Sequence, residues 1–214
     1  KMSDIIYLSK VRLSFPKLIE AQASQEGASK KFGADLIMTQ ADPQFAKFMG
    51  EIGKVATEKW KEHAGAILQL IQTDRKLRCF GMGNEKIDKK TFKPYAGYQD
   101  NVYISANSNE DRPPQVIRPD GTIVPNDNTM ARTAAARKLY GGCYVNAAVR
   151  PWPQDNNFGR GIRCELIAVQ FSHDGEPFGE SEPDVTGMFG AVEQPAQTQG
   201  MTGTFPSFFG TPQS

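Results

Sequence analysis

The chain is short of the residues that form crosslinks or bind metals, because its 214 residues include three cysteines, two histidines and no CxxC pair. A disulfide framework and a structural zinc site are therefore disfavoured. No run approaches about 18 apolar residues, the length that spans a bilayer, and the N-terminus lacks the apolar stretch of a signal peptide. We expect a soluble protein of a reducing cytoplasm, with no membrane partner.

Recognisable enzyme signatures are missing as well. The segment GMGNE contains only GxG, without the GK[ST] of a phosphate-binding loop. Cys143 falls on the apolar side of its predicted strand, which favours a buried cysteine over a nucleophile. The acids Asp35, Asp42 and Asp88 are scattered over unrelated segments. We expect a non-enzymatic protein with no catalytic residue, no cofactor and no metal.

The charge is divided unevenly along the chain, although the formal net charge is only +1. Residues 1–170 carry all 25 Lys and Arg with 18 of the 24 acids, a net charge of +7, whereas residues 171–214 carry six acids and no Lys or Arg. A basic body favours an anionic partner, and an acidic end indicates a separate task. The alternative is an ordinary mixed surface with a solubilising tail.

Short apolar or alternating runs separated by turn residues predict about seven strands. The runs are residues 5–8, 11–15, 31–38, 77–80, 102–107, the hairpin 115–124, 143–150 and 161–171. Asp42 before Pro43 predicts the start of an amphipathic helix to about His63, and the alanine-rich segment 129–140 predicts a short helix. Strands do not alternate with helices, which disfavours a parallel α/β fold. The simplest architecture is a mainly β, antiparallel barrel with one long and one short helical insertion.

The C-terminal residues differ from the rest in composition, being rich in Gly, Pro, Gln, Ser and Thr. Such a segment cannot bury enough surface to fold alone, so we expect a folded domain at 1–180 and a flexible tail at 181–214. Phe205, Phe208 and Phe209 in this tail are either a docking motif or fortuitous apolar residues.

Strand alternation places aromatic rings on polar faces of the predicted barrel. Tyr103 falls opposite the apolar residues of strand 102–107, and Tyr144 lies on the same side of its strand as Asn146 and Arg150. Exposed rings beside cations suit an unpaired nucleic acid strand, because bases stack on the rings while Lys and Arg contact the phosphates.

Two predicted loops add to this surface. Residues 84–100 interleave lysines with tyrosines, and residues 151–160 carry a tryptophan and an arginine. The alternative is that these rings only pin long loops to the barrel. The predicted contacts with the nucleic acid are Tyr103, Tyr144, Arg150, Arg163, Lys89, Lys90, Lys93, Tyr95, Tyr98, Trp152 and Arg160.

Several phrases, taken in order, resemble a known family. They are VRLSFPKLIEAQ, KKFGADLIM, GMGNEKIDKKTFKPYAGYQDNVYISANS, RPPQVIRPDGTIV, YGGCYVNAAVRPW and GIRCELIAVQFSHDGEPFG. Over about residues 5–180 the chain is similar to bacteriophage-encoded single-stranded DNA-binding proteins. The resemblance implies an OB-fold and sequence-independent binding of single-stranded DNA during phage replication or recombination, in the host cell cytoplasm.

The resemblance also bears on the tail. Many single-stranded DNA-binding proteins end in an acidic run closed by an aromatic residue, which recruits replication partners. Here the acids stop at Glu193 and the phenylalanines follow in an uncharged stretch. The tail is a candidate contact for phage or host replication proteins. Two other functions stay open, a phage structural or assembly protein without DNA binding and a metal-dependent nuclease.

Overall fold

The computed structural model describes residues 3–23 and 25–179, so the predicted tail at 181–214 lies outside the described residues. The described chain forms eight strands and three α-helices. The strands are β1 (Ile6–Gln22), β2 (Lys31–Thr39), β3 (Phe80–Met82), β4 (Asn101–Asn109), β5 (Gln115–Ile117), β6 (Ile123–Val124), β7 (Tyr144–Asn156) and β8 (Gly159–His173). The helices are α1 (Pro43–Trp60), α2 (Ala64–Thr73) and α3 (Thr129–Ala136).

Five of the strands close a barrel in the order β1-β2-β4-β8-β7. The pairs β1–β2, β2–β4, β1–β7 and β7–β8 are antiparallel, and the closing pair β4–β8 is parallel. This is the arrangement of an OB-fold, so the predicted fold is confirmed. β3 extends the sheet beside β4, and the hairpin β5–β6 joins it beside β8.

β1 is one long strand where the sequence predicts two short runs. Its backbone has positive φ at Lys10 (52°) and Phe15 (46°), and its pairing shifts register after Leu8 and after Ser14. Irregularities of this kind bend a strand and increase its twist. The polar residues Ser9 and Lys10, which separate the predicted runs 5–8 and 11–15, therefore form a bulge within one strand. Such bulges let β1 pair with both β2 and β7.

The β7–β8 hairpin corrects a second prediction, that residues 151–160 form a loop. The two strands stay paired as far as Asn156 and Gly159. Pro151 and Pro153 suggest a loop in the sequence, but β7 pairs with β1 only up to Val149. Beyond that point β7 has β8 as its one neighbour in the sheet, and an edge of this kind tolerates proline because the missing N–H would have no partner there.

The helices α1 and α2 pack against the barrel and share its core. α1 begins as predicted, with the Asp42 carboxylate accepting a hydrogen bond from the backbone N–H of Gln44. It ends at Trp60, because Lys61 adopts a positive φ of 51° and a single 3₁₀ turn follows. α2, which the sequence analysis missed, continues the insertion and buries Ile67 and Ile71.

The main core is an apolar cluster shared by the barrel interior and the three α-helices. Cys143 is fully buried in it, as predicted, and burial raises the pKa of its thiol to about 11. The predicted strand at 77–80 lies instead at Phe80–Met82, because residues 75–77 form a 3₁₀ turn.

The Asp42 cap gives a test of the helical insertion. Asp42→Ala removes the side-chain acceptor at the start of α1 and should lower the free energy of unfolding by about 1 kcal/mol. Asp42→Asn keeps an acceptor and should stay near the wild type. Urea denaturation measures both variants, and equal stability of Asp42→Ala and the wild type would show that the cap contributes nothing.

Candidate nucleic-acid interface

The candidate interface is a cleft on the outer wall of the barrel, where β4 and β8 meet. In the described chain these strands share a single residue pair, Asn107 with Glu165, and they separate on either side of it. A cleft of about 360 Å³ opens along this seam. Its walls come from β2, β4, β7 and β8 and from the segments that flank β3 and follow β4. We call it the seam cleft.

Cations outnumber acids by four to one among the charged residues that line the seam cleft. The cations are Lys31, Arg78, Arg112 and Arg163. The acid, Glu165, is itself 3.4 Å from the guanidinium of Arg150. The cleft is therefore a positive channel in a protein whose whole charge is close to neutral, and a chain of phosphates fits its charge.

Two of these arginines are held in place by the surrounding structure. Arg163 donates from Nε to Gln154 Oε1 at 2.9 Å and from Nη1 to the Lys76 carbonyl at 2.8 Å. Arg78 donates from Nη2 to Glu85 Oε2 at 2.7 Å. A side chain that is already fixed loses less entropy when it binds a ligand, which favours binding.

An aromatic ring stands beside the cations. Trp152 lies on the outer face of β7, directly across from Arg163 on β8, and is 42% exposed. Together with Arg112 and Glu165 it also lines a second opening of about 420 Å³. The groove thus continues past the indole ring, which is free to stack with a base while arginines contact the phosphates.

The neighbouring part of the outer wall is covered by the chain itself. Asp35 on β2 is buried, and its carboxylate accepts hydrogen bonds from Lys86 Nζ at 2.8 Å, from the Tyr98 hydroxyl at 2.6 Å and from the Ser105 hydroxyl. Lys86 and Tyr98 belong to the loop at 83–100. The carboxylate thereby holds this loop against β2 and β4.

This loop overturns the expectation that Tyr103 and Tyr98 are exposed. Tyr103 points to the outer face, as strand alternation predicts, but the loop packs over it and leaves it 3% exposed. Tyr98 is buried in the same small cluster, with Ile37. Burial, and for Tyr98 also the charge of Asp35, raises the pKa of both phenols. In the described structure neither ring has a face open to a base.

Tyr144 and Tyr95 are half-buried on the outer wall. The Tyr144 ring stacks on His173 with centroids 4.5 Å apart and planes within 8°, and the Arg12 guanidinium lies 5.8 Å from it. Tyr95 contacts the edge of Phe15 at 5.0 Å. Strand alternation placed Tyr144 correctly, and contact of either ring with DNA stays a prediction.

The remaining predicted residues lie in three places. Lys89, Lys90 and Lys93 are exposed on the turn between Asp88 and Pro94, outside the lining of the seam cleft. Arg150 lines the second opening. Arg160 lies near the tip of the β7–β8 hairpin, with Nε 3.4 Å from Asp155.

Three cations of the seam cleft were missed by the sequence analysis. Lys31 begins β2, Arg78 precedes β3 and Arg112 lies in the turn after β4. Strand alternation predicts which face a side chain takes on its own strand, but not which residues of other strands lie beside it. Only the order in which the strands pair brings these residues to one seam, and a single sequence does not state that order.

A comparison with known families identifies the chain's relatives. Residues 4–198 match the family described as the single-stranded DNA-binding protein of Enterobacter phage Enc34. The chain belongs to the Enc34 single-stranded DNA-binding protein family. The chain is also similar to protein p50 of Acyrthosiphon pisum secondary endosymbiont phage 1, to which it is 35% identical over 175 residues, 81% of this chain and 85% of p50. The resemblance noted in the sequence is confirmed.

Solved structures from the same family share the fold. The single-stranded DNA-binding protein from bacteriophage Enc34 in complex with single-stranded DNA matches with a TM-score of 0.64 and 22% identity, over 82% of this chain and 89% of that one. Another structure of the single-stranded DNA-binding protein from bacteriophage Enc34 matches with a TM-score of 0.59 and 23% identity, over 86% of this chain and 89% of that one. At these identities the likeness establishes the barrel architecture.

Two other features of interest are a metal site and a membrane-spanning helix. Within residues 3–23 and 25–179, no cluster of three or more His, Cys, Asp or Glu side chains is placed to hold a metal ion. Within the same ranges, none of the helices has the length and apolar character needed to cross a membrane.

The Asp35 contacts give a test of what covers the outer wall. Asp35→Ala leaves Lys86 and the Tyr98 hydroxyl without their acceptor and should lower the free energy of unfolding by about 3 kcal/mol. Amide hydrogen exchange at residues 95–101 should also be faster in this variant. Asp111→Ala removes an exposed carboxylate from the turn after β4 and should change stability by less than about 0.5 kcal/mol. Unchanged exchange in Asp35→Ala would show that the loop is held by other contacts.

Proposed function

We propose that this protein binds single-stranded DNA without sequence preference, along the seam cleft, during phage replication or recombination. The observation that carries the proposal is the exposed Trp152 ring beside Arg163, in a cleft lined by four cations, on the barrel of a family of single-stranded DNA-binding proteins. The homologous Enc34 protein has been solved with single-stranded DNA, which supports the same ligand here.

The chemistry of the cleft favours a single strand over a duplex. An unpaired strand turns its bases outward, and one base can lie on the indole ring while the adjoining phosphates meet the arginines. A duplex keeps its bases stacked on one another, so it offers the cleft only phosphates. Every base has a flat face, so stacking does not select a sequence.

The cations should make the affinity depend on salt. Each phosphate neutralised on a single strand releases about 0.7 counterions. Because Arg78 is already paired with Glu85, the other three cleft cations, Lys31, Arg112 and Arg163, predict a slope of about −2 for log affinity against log salt concentration. The lysines at 89, 90 and 93 would add to this slope if the strand runs on past the turn that carries them.

The predicted contact residues have different proposed roles. Trp152 and Arg163 contact the strand in the seam cleft, with Arg150 at the second opening. Tyr144, Tyr95 and Arg160 are proposed to contact it on either side. The buried Tyr98 and Tyr103 instead hold the covering loop in position, which is the alternative that the sequence left open.

The proposal extends to the rest of the protein's role. We propose that it is a non-enzymatic protein of the host cell cytoplasm, and that residues 181–214 form a flexible tail that recruits a phage or host replication protein. The acids and phenylalanines of that segment support a protein partner, since a segment without Lys or Arg does not attract DNA.

Substitution of the stacking ring tests the function directly. Trp152→Ala should weaken binding of an oligo-dT by about 1–3 kcal/mol, whereas Trp152→Phe keeps an aromatic face and should lose less. Fluorescence anisotropy with a labelled strand of about 30 nucleotides, longer than the span of one OB-fold, measures both variants at low and moderate salt.

The controls separate the possible failures. Met130→Ala removes a more exposed apolar side chain from α3 and should bind as the wild type does. Duplex DNA of equal length should compete poorly. Loss of binding in Trp152→Ala with an unchanged thermal midpoint supports the proposal. Absence of wild-type binding at low salt would instead favour a phage assembly protein that does not bind DNA.

A further inference from the structure

The tip of the β7–β8 hairpin exposes an aromatic ring to solvent. Asn157 and Phe158 form the turn between the paired residues Asn156 and Gly159, and Phe158 is 86% exposed. The turn has a defined conformation, because the Phe158 N–H donates to Asn156 Oδ1 at 3.0 Å and Gly159 takes a positive φ of 103°.

The hairpin below this tip is braced on both sides. On one side the Trp60 indole N–H at the end of α1 donates to Asp155 Oδ2 at 3.2 Å. On the other side Leu77 packs against Gly159, and its carbonyl comes so close to Gly161 that a Cβ there would lie 2.6 Å from it. A large apolar ring at the end of a braced element contacts little of its own protein and is well placed to meet a ligand.

The same hairpin forms a wall of the seam cleft. Trp152, Gln154 and Arg163 line the cleft from the hairpin, and β7 continues four residues past Trp152, about 13 Å, before the turn that carries Phe158. A strand lying on Trp152 and running along the hairpin therefore reaches the tip where it leaves the cleft.

The charge around the tip suits phosphates. Asp155 is shared by two cations, with Arg160 Nε at 3.4 Å and Lys59 Nζ at 3.9 Å. These three residues together carry one net positive charge next to the exposed ring.

We propose that Phe158 is a stacking wedge for a junction between single-stranded and double-stranded DNA. This inference rests on the proposed binding of single-stranded DNA in the seam cleft. A strand on Trp152 must be unpaired, so any duplex continuing from it begins outside the cleft, where the hairpin tip projects. The end of a duplex presents the flat apolar face of its last base pair, and in other DNA-binding proteins apolar side chains insert between base steps, against faces of this kind.

Binding of two matched DNA ligands tests the wedge. One is an oligo-dT of about 10 nucleotides, within the span of a single OB-fold, and the other is a hairpin duplex with a single-stranded dT overhang of that length. Phe158→Ala should weaken binding of the overhang ligand by about five-fold or more and leave binding of the short oligo-dT within about two-fold. Phe158→Tyr retains the ring and should restore binding of the overhang ligand, and Met130→Ala, with the same exposure of 86%, should affect neither ligand.

The outcomes separate this inference from the proposed function. Equal losses on both ligands would make Phe158 an ordinary contact for single strands and overturn the wedge. Unchanged binding of both ligands by Phe158→Ala would overturn it as well. If the wild type binds neither ligand, the proposed function itself fails, and the wedge fails with it.

Discussion

The carboxylate of Asp35 is a charge held on the outer wall of a β-barrel and largely shielded from water. It is stabilised because Lys86, Tyr98 and Ser105 all donate hydrogen bonds to it. A buried carboxylate costs several kcal/mol of solvation unless it is paired and hydrogen-bonded. The loop at 83–100 supplies two of its three donors, so detaching the loop would leave the carboxylate with the Ser105 hydroxyl alone. This interaction decides which part of the outer wall is covered.

The covered part and the open part of the outer wall have different roles. Under the loop, Tyr98 and Tyr103 pack as a second small core outside the barrel. Beyond the loop, β4 and β8 share one pair and leave the seam cleft, where Arg163 and Trp152 are accessible. Because the loop is fixed, the positive cleft is the part of this face that an anionic strand can enter. The same closure of the barrel that makes the fold an OB-fold thus leaves the proposed binding surface open.

Much of this architecture is readable from the sequence. Asp42 and Pro43 mark the start of α1, the turn residues at 119–121 mark the β5–β6 hairpin, and the alternation in β7 assigns Cys143 to the core. These features depend on neighbours in the chain. The order of residues along one strand determines which face a side chain takes, and Tyr103 does take the outer face.

What the sequence does not reveal depends on contacts between distant segments. Tyr103 is buried because the loop that Asp35 anchors packs over it. The residues of strand 102–107 do not predict that contact. Trp152 lies on a strand because β7 continues as an edge past its prolines. The cleft cations Arg78 and Arg112 come together only through the pairing of β3, β4 and β8. These residues indicate a function only in combination, so it is family membership that identifies the function.

Photo-crosslinking of an oligo-dT that carries 5-iodouracil, followed by peptide mapping, tests the account most directly. The seam-cleft assignment predicts crosslinks to the peptide that contains Trp152, suppressed by unlabelled single strands and weakly by duplex, with none to Tyr98 or Tyr103. Crosslinks concentrated at Tyr98 or Tyr103 would contradict it, since the covering loop would then have to leave the barrel for DNA to bind.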